Sequence, residues 1–539
     1  MRNAKTSAPA FTQAVAAAAE ASRMGAELTR IALGLSELAA AKGDRRFADP
    51  AWTANPVYHR IEQSYLAWAG ALNRIVDEFG RQTEDHRRAS QAAFAATVLT
   101  SACAPTNFLL TNPAAVKKAF DTGGVSLLRG TRNLVRDLRH NGGMPSMVEP
   151  GAFEVGRNLA VTPGGVVARD PVGEVLQYRP TTETVYERPV LIIPPCINRY
   201  YFLDLRPGRS FVEHAVGRGQ QTFLLSWRNP TDDQGNWDLD TYAERVSAAI
   251  DTVREVTGSP DVNLVGFCAG GIIATALLNR FAATGDQRVH SVSYAVTLLD
   301  FSEPAPLFAF SQQSLVASVR HRSKRHGVIT GRQMAAAFTW LRPDDLVFNY
   351  WVNNYLMGEP PQAFDILAWN ADGTNLPAAL HCQFLDMFED NAFATPGAMS
   401  VLGAPLELGR ITMPSFVVGA VADHLTPWKG CYRTTQLLGG ESTFVLSASG
   451  HIASLVNPPG NPKAHYWTGG SPGPDPDVWL GQAQRQPGSW WEAWSDWVTV
   501  RAGQEQPAPD HLGSATNPVL DPAPGRYVRD LPATSSERH

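Results

Sequence analysis

Residues 262–271 read VNLVGFCAGG, an apolar run that ends in G-x-C-x-G followed by a second glycine. This is the form of a strand that turns sharply into a helix and holds one reactive side chain, here Cys268, above the edge of a sheet. Gly266 and Gly270 are expected to be glycines of necessity, because strand, turn and helix approach too closely there for a side chain. LVGF before the cysteine is strand-like, and IIATALLNRFAAT (272–284) after it is helix-like. Cysteine in place of the usual serine points to acyl transfer through a thioester. The plain alternative is a buried cysteine that serves as a small apolar residue.

An activated nucleophile needs a base, and the base needs an orienting carboxylate. SFVVGAVADHLTPW (415–428) delivers Asp423 after an apolar run, and STFVLSASGHIASLVNPPGNP (442–462) delivers His451 after the next. Nucleophile, acid, histidine is the chain order of hydrolases built on this strand-turn-helix device, with each residue on a loop at the carboxyl edge of the sheet. Asp423 read alone fits a turn or helix cap before Pro427, and His451 fits a helix cap. His424 competes for the base role but is taken as supporting, because chain neighbours point apart. LIIPPCINRYYFLDLRPGRS (191–210) follows another central strand. In this architecture such a loop lends one backbone N–H to an oxyanion hole, and the residue after the nucleophile lends the other. Those donors are Ile197 and Ala269. Cys196 lies near the site but lacks an elbow and reads as packing.

Working outward, residues 1–20 read as a flexible start and 21–163 as a helical domain, with repeated apolar spacing in ELTRIALGLSELAAA and YHRIEQSYLAWAGALNRIVDEFG. From GGVVARD (164–170) short strands take over and then alternate with helices, so residues 164–505 are expected to form an α/β-hydrolase fold around a parallel sheet. The alternation stops between 301 and 405, where FTWLRPDDLVFNYWVNNYLMG and AFDILAWNADGTNL mark an aromatic, amide-rich insertion. It is expected to be a cap over the carboxyl edge that excludes water and moves to admit substrate; an ordinary packed subdomain is the alternative. GSWWEAWSDWVTVRAG reads as a core-facing aromatic helix, and 506–539 as a flexible Pro-rich tail.

The chain has 539 residues, enough for two domains, with 44% hydrophobic residues and a net charge of −5. The lack of a long basic run argues against nucleic acid as a partner. Cys103, Cys196, Cys268, Cys382 and Cys431 form no C-x-x-C pair, so neither a disulfide framework nor a zinc or other metal site is expected, and a reducing cytoplasm fits. The alanine run near the start is broken by Glu20 and does not read as an export signal. No stretch reaches the roughly 20 apolar residues of an integral membrane segment.

DRRFADPAWTANPVY, APTNFLLTNP, NGGMPS, PPCINRYYFLDLRP, FLLSWRNP, GFCAGG, LRPDDLVFNYWVNNYL, FDILAWN, ADHLTPW and SGHIASLVNPPGNPKA occur in this order between about 44 and 505. In these the chain resembles the polyhydroxyalkanoate synthases, single-subunit type, which polymerise (R)-3-hydroxyacyl-CoA into polyester. The resemblance implies that Cys268 carries the acyl chain as a thioester, that His451 deprotonates it and that Asp423 assists the attacking 3-hydroxyl. It further implies no cofactor, CoA being a released product, a cytoplasmic site at the surface of polyester granules, and a homodimer. NPVYHRIEQSYLAW and HLTPWKGCY look closest to the medium-chain type, GFCAGG and PPCIN to the short-chain type, so the chain carries marks of both. A thioesterase or polyester depolymerase on the same scaffold, and a non-catalytic granule-coat protein, are the competing functions.

Overall fold

The computed structural model describes residues 7–83, 85–149, 151–303 and 306–530. They form two compact units. One contains the described residues up to Ala152 together with Pro306–Gln312 and Ala336–Phe364; the other contains 153–303, Gln313–Ala335 and the described residues from Asp365 onward.

In the second unit, apolar runs of four to seven residues become strands that are nearly all buried, as expected where helices cover both faces of a sheet. Its main sheet has eleven strands, named here in chain order: β1 Gly164–Arg169, β2 Gly173–Tyr178, β3 Val190–Ile193, β4 Thr222–Trp227, β5 Val262–Phe267, β6 Val289–Ala295, β7 Ser415–Ala420, β8 Ser442–Ser447, β9 His465–Thr468, β10 Gln484–Pro487 and β11 Asp521–Pro522. The spatial order is β10-β9-β8-β7-β6-β5-β3-β4-β2-β1-β11. From β4 across to β8 all neighbours are parallel; the flanks are antiparallel. The run β1-β2-β4-β3-β5-β6-β7-β8, with Cys268 directly after β5, is the α/β-hydrolase arrangement expected from the sequence. The reversal at β3 and β4 is the kind of switch point outside which ligands bind.

Helix Trp490–Thr499 buries Trp490, Trp491 and Trp494 against Phe211 and the strands, as its aromatic spacing predicts. In the first unit, Asn55 caps helix Pro56–Gln82 by accepting from the amides of Val57 and Tyr58, and Phe47, Trp52, Tyr65 and Ala104 form a small core.

Three sequence expectations require correction. The start is not flexible through residue 20: residues 1–6 lie outside the described residues, and Ser7–Ala32 is one helix, alanine-rich and therefore of high helix propensity, with Arg74 of helix Pro56–Gln82 bonded to Glu20. The insertion 301–405 is not one cap. Its Ala336–Phe364 part belongs with the N-terminal helices, where Trp351 Nε1 donates to Asn107 O and Tyr355 OH to Asp137 Oδ2. Nor is 506–530 a free tail. Glu505–Pro507 pairs with Thr184–Tyr186, β11 extends the main sheet, and Glu174 accepts from the amides of Arg526 and Tyr527. Its prolines donate nothing to a ladder, and the amides between them hold the segment, Leu520 N donating to Val166 O and Ala523 N to Gly164 O. Residues 531–539 lie outside the described residues.

Candidate active site

Cys268 sits between β5 and helix Ala269–Thr284 with φ 49° and ψ −121°, a region that non-glycine residues seldom adopt. The surroundings enforce it. A Cβ on Gly266 would lie 2.5 Å from Gly271 Cα, one on Gly270 would lie 2.6 Å from Pro194 O, and one on Gly271 would lie 2.7 Å from Thr297 Cγ2. All three positions therefore exclude a side chain, including Gly271, which the sequence reading did not single out. Cys268 N donates to Ala295 O at 2.9 Å, and its carbonyl accepts from Gly271 N at 3.0 Å and from Thr297 Oγ1 at 3.1 Å. The thiol is left half-buried at the carboxyl edge.

Asp423 and His451 are brought together because the loops after β7 and β8 continue the strand pairing: Val421 N donates to Ser447 O and Ala422 N to Ser449 O. His451 Nδ1 then lies 2.6 Å from Asp423 Oδ2. The remaining acceptor positions of this carboxylate are taken by Leu425 N, Thr426 N and Thr426 Oγ1 at 2.8, 2.9 and 2.7 Å, and its side chain is wholly buried. Thr426 was not foreseen, although D-x-x-T before a proline is a local capping pattern. His424, half-buried, follows Asp423 in the turn, and the carboxylate's bonds go elsewhere. Ser454 Oγ and Trp490 Nε1 fasten the turn at His451, bonding to the carbonyls of His451 and Ser454.

Burial alone would depress the His451 imidazole. The charge and hydrogen bond of Asp423, followed by the hydrogen bond and charge of the Cys268 side chain, outweigh it and lift the pKa to about 10. Asp423, which burial would raise, is held below the usual carboxylate range by His451 and the Thr426 donors. Cysteine, histidine and aspartate thus lie in one line, with the imidazole between the Cys268 side chain and the carboxylate of Asp423. Cys196, by contrast, is buried and its thiol is pushed far up by that burial, in keeping with a packing role.

Ala269 is the first residue of its helix, so its N–H has no intrahelical acceptor and remains available beside Cys268. Ile197 is half-buried in the loop after β3, and Ile193 of that strand pairs with Gly266. Residues of this loop beyond Ile197 are fixed from a distance: Asn198 N donates to Thr374 Oγ1 at 2.8 Å and Trp369 Nε1 to Arg199 O at 2.7 Å.

Residues 43–215 match the family described as "Poly-beta-hydroxybutyrate polymerase (PhaC) N-terminus", and residues 189–458 match the "alpha/beta hydrolase fold" family. The chain is 45% identical to Poly(3-hydroxyalkanoate) polymerase 1 of Ectopseudomonas oleovorans over 97% of its own length and 92% of the relative's. It is 44% identical to polymerase 2 of the same organism, covering 94% and 90%. To the Poly(3-hydroxyalkanoate) polymerase subunit PhaC of Cupriavidus necator it is 40% identical, covering 93% and 85%.

Proposed function

The chain belongs to the poly(3-hydroxyalkanoate) polymerase family, and from that premise we propose that it polymerises (R)-3-hydroxyacyl-CoA on Cys268 with release of CoA. The near full-length identity to named polymerases carries this reading, and the hydrogen-bonded line at His451 supports its mechanism.

In the first step Cys268 thiolate attacks the thioester carbonyl of the substrate, the CoA thiolate leaves, and His451 gives it a proton. One thioester replaces another, so the exchange is close to neutral in energy. The oxyanion is met by the amides of Ala269 and Ile197. Acylation also removes from His451 the charge and hydrogen bond that Cys268 supplied, so the imidazole holds a proton less tightly and is ready to accept one. In the second step it takes the proton of an incoming 3-hydroxyl, which attacks the acyl carbonyl and displaces Cys268. An ester forms at the expense of a thioester, and the chain, still linked to CoA at its new end, reloads Cys268. Asp423 acts through His451 rather than on the hydroxyl itself, because its acceptor positions are already filled. These side chains carry every step without a resident cofactor.

A location at the polyester surface is the second part of this reading. Helix Val125–His140 buries Ser126, Gly130 and Asp137 and turns outward Leu128, Val135 and Leu138, with Leu128 72% exposed, among Arg129, Arg132, Arg136 and Arg139. An exposed face of aliphatic and basic residues suits an apolar body with an anionic coat. No helix among the described residues is long and apolar enough to cross a membrane. Homodimer formation is proposed on the family resemblance and is read by sedimentation.

Purified protein incubated with (R)-3-hydroxybutyryl-CoA, with CoA release and turbidity followed together, tests the activity. A polymerase gives both signals, a thioesterase gives CoA alone, and a coat protein gives neither.

A further inference from the structure

The C-terminal segment, which does not read as structural in the sequence, closes on the loop that carries Ile197. Arg199, two residues beyond Ile197, is 4% exposed. Its Nη1 donates to Tyr527 O at 3.3 Å and to Val528 O at 2.7 Å, and its Nη2 donates to Asp530 O at 2.5 Å. Nε lies 2.7 Å from Asp372 Oδ1, a charge contact whose angle is too poor for a hydrogen bond. Tyr200 OH adds a bond to Pro524 O at 3.3 Å. The other side of the segment is fixed to the sheet: Glu174 accepts from the amides of Arg526 and Tyr527, Tyr527 OH donates to Asp170 O at 2.7 Å, and Arg169 pairs with Asp521.

A guanidinium withdrawn from water is costly unless its donors are met, and here most of them are met by main-chain carbonyls, which no substitution in the segment removes directly. Arginine suits the task because its planar fork reaches several acceptors in fixed directions; an ammonium on a flexible stem does not. The loop has no comparable means of its own. Asn198 stands at φ 72° and relies on Thr374 for its amide.

We propose that Arg199 is a positioning residue for acyl transfer, and that by clamping residues 527–530 it makes the C-terminal segment a working part of the oxyanion hole. This rests on the reading of Ile197 as an oxyanion donor and of the chain as an acyltransferase. The amide of Ile197 must meet the oxyanion within a few tenths of an ångström, so a loop freed at Arg199 costs turnover rather than substrate affinity.

The test uses full-length protein with Arg199→Ala and Arg199→Lys. Three quantities are measured: kcat and KM for CoA release from (R)-3-hydroxybutyryl-CoA, the rate of Cys268 alkylation by iodoacetamide, and hydrogen exchange at 194–199 and 519–530. Alkylation needs the thiolate-imidazolium pair but no oxyanion hole. Expected for Arg199→Ala is a kcat loss of roughly 10- to 100-fold with KM within about threefold, an unchanged alkylation rate and faster exchange in both segments. Arg199→Lys should fall between the alanine variant and the wild type. Wild-type kcat in a folded Arg199→Ala protein overturns the proposal, as does an alkylation rate that falls in step with kcat, which marks general loss of structure. If Arg199→Ala does not fold, Arg199→Lys decides, since kcat within twofold of wild type then overturns it. Absence of CoA release from the wild type itself would instead remove the acyltransferase reading on which the proposal stands.

Discussion

The loops that carry Cys268 and Ile197 leave the sheet from neighbouring strands, β5 and β3, yet they are held by different means. The first is determined by close packing on the atoms around it: Gly266 meets Gly271, Gly270 meets the carbonyls of Ile193 and Pro194, Gly271 meets Thr297, and its bonds run to β6 and the residues just after it. The second depends on residues far along the chain, Thr374, Trp369 and the carbonyls of 527–530. A nucleophile has to be placed the same way in every turnover, and local steric exclusion does that without help. The second loop, which in the proposed mechanism supplies one amide, is shaped by whatever segments cross it, so it is where distant changes would reach the chemistry.

The largest effect tests the self-contained loop. Cys268→Ala should abolish CoA release and polymer, by at least about 10⁴-fold, while the thermal midpoint stays within a few degrees of wild type, because only the sulfur is lost and the backbone remains held. Turnover retained by a folded Cys268→Ala protein removes this residue from the mechanism. Gly270→Ala comes next. The new methyl overlaps Ile193 O and Pro194 O, which are main-chain atoms that cannot swing aside, so stability should fall by several kcal/mol in a urea titration and the remaining folded protein should turn over poorly. An alanine tolerated at 270 would show that the elbow is not sterically determined.

The same division explains what was legible in the sequence. Each central strand announced itself as a short apolar run, and Cys268, Asp423 and His451 followed from chain order alone, because each lies a few residues past the end of such a run. Thr426 was within reach, being three residues from Asp423. The clamp at Arg199 was not. Its partners lie more than 300 positions away and are carbonyls, to which every residue type contributes alike. β11 has two residues, one of them proline, too short for any period to show. The insertion was misread for a related reason: amphipathic spacing says that a helix has a buried face but not which unit covers it, and Tyr355 meets Asp137 rather than the sheet.

Asp423→Asn sharpens the comparison at the next level. If Asp423 works through the imidazole, acylation and elongation should both fall by roughly 10²- to 10³-fold and by similar factors, read as the single-turnover CoA burst and the later rate. Elongation lost with the burst intact would place Asp423 on the incoming hydroxyl instead. Thr374→Ala should do less. It removes the acceptor for Asn198 N, and kcat should fall about three- to tenfold while iodoacetamide alkylates Cys268 at the wild-type rate. A slower alkylation would mean that the two loops are not held independently.

The smallest expected effect is a drift of stability with pH that reports how tightly Cys268 is tied to His451. The His451 pKa stands at about 10 in the folded protein against an ordinary 6.5, burial being outweighed by Asp423 and Cys268. A group raised on folding stabilises fully below its unfolded pKa, and that contribution is lost as pH climbs through the folded value. Asp423, depressed on folding, contributes above the ordinary carboxylate range and loses this only in acid. The gap in urea midpoint between wild type and His451→Gln should therefore be widest near pH 6, narrow between about 6.5 and 10 and close above that. Alkylating Cys268 first removes the cysteine's share of the lift, so the narrowing should still begin near 6.5, the unfolded value, but end at lower pH and be smaller in extent. A gap that stays constant from pH 6.5 to 10 would mean that the imidazole is not charged in the folded enzyme, and the nucleophile would then rest as a thiol awaiting deprotonation.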